Sequence, residues 1–97
     1  MEQTRKAARQ ALGQIYATVN ALAACERSSV DPQTLLDRHA GDDRGEHGGN
    51  RVQWNKGERV TSSYLLPVEY PVPTNTTVWV VTEPDRSVTV LLLQEEF

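Results

Sequence analysis

The densest apolar pattern lies at the end of the chain. From Thr76 to Phe97 it reads TTVWVVTEPDRSVTVLLLQEEF. Two runs of β-branched and aliphatic residues flank Glu83-Pro84-Asp85-Arg86, which predicts a β-hairpin. Pro84 presets φ for the second position of a type I turn, and Asp85 suits the third. A loop of Glu83 to Arg86 pairs Thr82 with Ser87. One face then carries Thr77, Trp79, Val81, Val88, Val90 and Leu92. The other carries Val78, Val80, Thr82, Thr89, Leu91 and Leu93. Both are largely apolar, whereas a half-solvated hairpin alternates more cleanly. Both faces therefore call for a cover.

Upstream, Arg59 to Leu66 alternates Val60, Ser62, Tyr64 and Leu66 with polar or smaller partners, and reads as a further strand. Pro67, Pro71 and Pro73 exclude a central strand from 67 to 73 and leave a loop or an extended edge. Asp31-Pro32 opens a helix, with Asp as N-cap and Pro at the first helical position. Leu35, Leu36 and His39 continue it to Gly41. Gly41 to Gly49 is a polar, glycine-rich loop. Arg51 to Lys56 can form a short helix anchored by Trp54 and stopped at Gly57.

The amino-terminal third is ambiguous. Ala8, Leu12, Ile15, Val19 and Leu22 fall at helical spacing, so pattern alone allows one helix from Glu2 to Cys25. Gly13 and the cluster Ile15-Tyr16-Ala17 favour a break, with a short strand and then a helix capped by Thr18.

These elements predict an α+β fold in a single domain, residues 1–97. A small antiparallel sheet, a meander of 59–66, 77–82 and 88–94 ending in the hairpin, is joined by a strand near Gln14 to Ala17. Short helices near 18–26 and 32–40 cover it. With 97 residues and 38% hydrophobic content, the core is thin. The face holding Val78, Val80, Leu91 and Leu93 is accordingly expected to bind a second copy in a homodimer.

Charge narrows the partners. A net charge of −3 and a pI near 5.3 give no basic footprint, so nucleic acid is not expected. Cys25 is the sole cysteine, which excludes an intrachain disulfide. No apolar run is long enough for a membrane span, and no signal-peptide core opens the chain. A cytoplasmic protein follows as the expectation.

Four stretches resemble a small, functionally uncharacterised family carried by bacterial plasmids, integrated elements and phages. They are Leu12-Gly13-Gln14-Ile15-Tyr16-Ala17-Thr18, Arg38-His39 with Asp43 and Gly45, Asn50 with Gly57, Arg59 and Ser63-Tyr64, and Trp79-Val80-Val81-Thr82-Glu83-Pro84-Asp85-Arg86-Ser87. The last is the most specific. Asp42-Asp43-Arg44-Gly45 departs from the family's Gly-Asp-Trp-Gly after the histidine, and Leu93-Gln94 from its Leu-Pro. The resemblance implies a mobile-element setting and the strand-then-helix reading after Gly13. It implies no activity.

Two chemistries are weighed against a structural role. His39, Asp42, Asp43, Glu46 and His47 are the densest set of potential metal ligands, but their spacing matches no metal loop. His39, Arg59, Tyr64, Asp85 and Arg86, with Ser63, suit a small ribonuclease-like or toxin-like enzyme, in which a histidine moves protons and arginine stabilises phosphate charge. The acidic pI opposes that reading. The expectation is a non-catalytic accessory protein that binds another protein, without cofactor or metal. Its His39 and Arg59 should meet the Asp85-Arg86 turn in a structural polar network.

Overall fold

A computed structural model describes residues 12–41, 57–68 and 74–97. The chain forms β1 (Gln14–Ala17), α1 (Val19–Arg27), α2 (Pro32–Ala40), β2 (Val60–Val68), β3 (Thr74–Thr82) and β4 (Val88–Leu93), and a 3-10 turn over Gln94–Glu96. The fold is α+β. Both expected caps form: Thr18 Oγ1 accepts from the Ala21 N–H at 3.0 Å, and Asp31 from the Gln33 N–H at 3.0 Å. Each satisfies a backbone donor that a helix start leaves open.

The sheet order is β1-β4-β3-β2. β2, β3 and β4 make the expected antiparallel meander. β1 departs from an all-antiparallel sheet, because it pairs with β4 in parallel. Gly13 explains how β1 enters there. Its φ is +70°, and a Cβ at this position would stand 2.4 Å from the Ser87 carbonyl oxygen and 2.5 Å from that of Arg86. Only glycine permits both the left-handed turn and that approach. The one-helix alternative for Glu2 to Cys25 fails over the described residues, since β1 occupies its middle.

Two boundaries differ from the sequence reading. β2 runs through Pro67, and β3 begins at Thr74. Pro67 is tolerated because β2 lies at the sheet margin, where a missing N–H breaks no inner ladder. The hairpin register is shifted by two residues: Thr82 pairs with Thr89, not Ser87. The Glu83 carbonyl accepts from the Arg86 N–H at 2.9 Å, closing the turn, and Arg86 then takes φ 64°. A turn followed by a left-handed residue lengthens the loop. A shift of two preserves which side chains share a face.

Facial assignment therefore holds, but the cover does not fall as expected. Val78, Val80, Leu91 and Leu93 are 0%, 0%, 1% and 8% exposed. They pack with Ala21, Ala24 and Cys25 of α1 and Leu35 and Leu36 of α2. The proposed dimer surface is thus the core of the protomer. Small alanines let α1 lie close to the sheet, so two short helices suffice. The opposite face is half-buried at Trp79, Val88, Val90 and Leu92. The 3-10 turn brings Phe97 to 5.1 Å from the Trp79 ring, and Gln94 Oε1 accepts from the indole N–H at 3.3 Å.

The expected loop 42–49, the helix 51–56 with Trp54, and Pro71 and Pro73 lie outside the described residues.

Candidate functional site: a buried imidazole–hydroxyl chain

His39 shares the inner stripe of α2 with Leu35 and Leu36, one turn earlier, so helical spacing carries it into the core. Two strands meet it there, and a third continues the chain of hydroxyls. Ser62 of β2, Thr82 of β3 and Thr89 of β4 all lie on the covered face, and all four residues are fully buried. Ser62 Oγ is 2.8 Å from His39 Nδ1, and Thr82 Oγ1 is 2.8 Å from His39 Nε2. Thr82 and Thr89 hydroxyls are 2.7 Å apart, and Thr89 Oγ1 donates to the Leu12 carbonyl at 2.7 Å.

The proton positions follow from the carbonyl end. Thr89 has one hydroxyl proton and gives it to Leu12, so Thr82 must donate to Thr89. Thr82's proton is then used, so His39 Nε2 must carry the hydrogen it shares with Thr82. A neutral ring leaves Nδ1 as an acceptor for Ser62. Every bond runs in one direction, from Ser62 through His39, Thr82 and Thr89 to the backbone of Leu12. Such a chain strengthens each member by polarisation.

The ring is held neutral. Burial, and then the charge of Arg86, push the His39 pKa down to about 4. Arg86 itself donates to the Glu58 carbonyl at 2.7 Å and to the Glu83 carbonyl at 3.2 Å, tying the hairpin turn to the start of β2. Arg59 meets Glu83 at 3.4 Å, an exposed pair of small energetic weight. Asp85 accepts from the Ser87 N–H at 3.0 Å and hydroxyl at 2.6 Å, and these bonds hold its carboxyl below the usual range.

His39, Arg59, Asp85 and Arg86 therefore gather at one end of the sheet, but on different levels. His39 is beneath the surface and the others are at it. Tyr64 stands further along β2, 1% exposed, with the Arg38 guanidinium 4.4 Å above its ring. This cation–π contact packs α2 on the sheet. Ser63 points to the opposite face, where its buried hydroxyl has no hydrogen-bond partner among the described residues. The enzyme-like alternative thus loses its acid–base residue, because a fully buried imidazole has no access to substrate.

The metal alternative loses a ligand too. Both His39 ring nitrogens are occupied by hydroxyls, while Asp42, Asp43, Glu46 and His47 lie outside the described residues. Among the described residues no group of three or more potential ligands occurs. Cys25 is fully buried, and burial pushes its thiol pKa up, which suits an inert packing residue.

Two features carry no motif in the sequence. Ser62, Thr82 and Thr89 looked like ordinary strand positions. Their signal was polar residues in an otherwise apolar inward series. Glu96 is the second. Its carboxylate accepts from Thr18 Oγ1 at 2.8 Å, Asn20 Nδ2 at 3.0 Å and the Leu93 N–H at 2.8 Å, which clamps the end of the sheet to the start of α1.

The chain matches no family model, no curated protein and no solved structure. Among the described residues no helix is long and apolar enough to cross a membrane.

Proposed function

We propose that this chain is a non-catalytic protein-interaction module, a cytoplasmic accessory of a bacterial mobile genetic element. One observation carries the binding role. Among the described residues, Ile15, Tyr16, Val19 and Leu22, close together in sequence, are large apolar side chains that are 46%, 56%, 82% and 44% exposed. Large apolar side chains left exposed along one short segment suit contact with another protein. The sealed state of His39 agrees with a structural rather than a catalytic role. The mobile-element setting is supported by the Trp79 to Ser87 resemblance.

A photo-reactive residue placed at Val19 in the producing cell tests the reading. The expected result is a discrete protein adduct from that position and none from the exposed Gln33. Absence of any adduct at Val19 argues against the module. So does RNA cleavage by the purified protein that is lost in Arg59→Ala.

A further inference from the structure

β1 is the margin of the sheet, and its ladder bonds show which way its backbone points. The Gln14 N–H donates to the Ser87 carbonyl at 2.9 Å, and the Thr18 N–H to that of Leu91 at 3.0 Å. Alternate residues therefore face β4, and the N–H and C=O groups of Ile15 and Ala17 face away from the sheet. No described strand pairs with β1 on that side. Natural edges are blunted by charge, proline or a bulge. The opposite margin has Pro67. β1 has none of these, and no charged residue occurs from Leu12 to Cys25.

From these placements we infer that β1 is the seam of a two-fold homodimer, pairing antiparallel with β1 of a second copy. This rests on the interaction-module reading and names its partner. The geometry selects a copy of the same chain. The two outward-facing residues flank Tyr16 symmetrically, so a dyad through Tyr16 places Ile15 opposite Ala17 of the other protomer. Each such pair exchanges both of its N–H···O bonds, and Tyr16 meets its own copy at the closer, non-hydrogen-bonded position. Tyr16 pairs with Val90, so its side chain lies on the half-covered face. A dyad perpendicular to the sheet keeps both α1 helices on the same side, and Val19 and Leu22 of each helix are exposed. A neutral segment also meets its own copy without like-charge repulsion. Such a patch is isologous, as two-fold contacts require.

Light scattering at micromolar concentration is the test, paired with amide exchange at Ile15 and Ala17. The wild type is expected at twice the 10.8 kDa chain mass, with both amides becoming less protected on dilution. Ile15→Lys and Leu22→Lys are each expected to shift the mass to the monomer while retaining the native near-ultraviolet circular dichroism. A monomeric wild type overturns the dimer. So does a dimer unaffected by both folded variants, or protection of the two amides that is independent of concentration, which would mean that the chain's own residues occupy the edge. If either variant fails to fold, the wild-type dilution series still decides. A Val19 adduct with a different protein, from a monomeric chain, would leave the module reading intact and reject the second copy.

Discussion

His39 Nε2 lies 2.8 Å from Thr82 Oγ1, across 43 positions of sequence, and this contact fastens the last turn of α2 to the end of β3. It also makes stability depend on mild acid. The folded ring titrates at about 4, against an ordinary value of 6.5. Between those values the unfolded chain takes up a proton that the folded one refuses. Stability is then complete above about pH 6.5 and falls as pH drops toward 4, by a limit of about 3 kcal/mol. Urea unfolding between pH 4.5 and 7 should show this slope, and His39→Gln should flatten it. A wild type equally stable across that range would contradict the buried neutral ring.

The direction of the chain is a separate prediction. Nitrogen-15 shifts of the imidazole should show a protonated Nε2 and a bare Nδ1 near neutral pH. Thr82→Val removes the acceptor for Nε2 and the donor to Thr89 while nearly keeping shape. Leaving buried partners unsatisfied should cost about 1–3 kcal/mol in denaturant unfolding. The opposite tautomer would reverse the assigned bond directions.

Leu91→Glu should unfold the protomer. Leu91 is 1% exposed under the helices, and an unpaired carboxylate there has no compensation. Loss of the circular-dichroism signal is the expected outcome. A folded protein carrying this substitution would be incompatible with the packing.

The contrast between Leu91 and Ile15 shows what was legible in the sequence. The hairpin faces followed from period two, and a register shift of two residues left them intact. The helix starts followed from Thr18 and Asp31, whose capping chemistry is local. Which face the helices cover was not legible, because both are apolar and the decision belongs to long-range packing. Gly13 and the Ile15-Tyr16-Ala17 cluster outweighed the helical spacing of Ile15, Val19 and Leu22, and the strand-then-helix reading holds. Those residues line no helical core, and the alanines beside them do the packing. The site was legible only in part. His39 and Arg59 came to the expected end of the sheet, but the hydroxyls that bind His39 come from two strands, a third strand supplies only the next link through Thr89, and none of them has a sequence motif.

Gly13→Ala tests how β1 is admitted to the sheet. An alanine there would need φ near +70° and would press its methyl into the carbonyls of Ser87 and Arg86. Neither backbone can yield without breaking the Gln14 to Ser87 bond. The penalty should exceed about 1 kcal/mol. Faster amide exchange at Tyr16 and Thr18, with β3 unaffected, would place the damage at β1. Unchanged exchange there would reject the role given to Gly13.

Glu96 offers the last test, because its clamp joins residues nearly at opposite ends of the chain. The Leu93 N–H, then Thr18, then Asn20 hold its carboxyl below the ordinary value of 4.5. A depressed carboxyl stabilises the fold above its unfolded pKa and loses that contribution as pH falls through the folded one. Glu96→Gln should therefore lower the melting temperature near neutral pH, and its difference from wild type should shrink in acid below pH 4.5. The His39 slope lies mostly above that window, so the two effects separate on the pH axis. Asn20→Ala should destabilise the wild type more than it destabilises Glu96→Gln, since the amide then donates to a neutral oxygen. If the two substitutions add fully, Asn20 and Glu96 are not coupled and the clamp does not hold in solution.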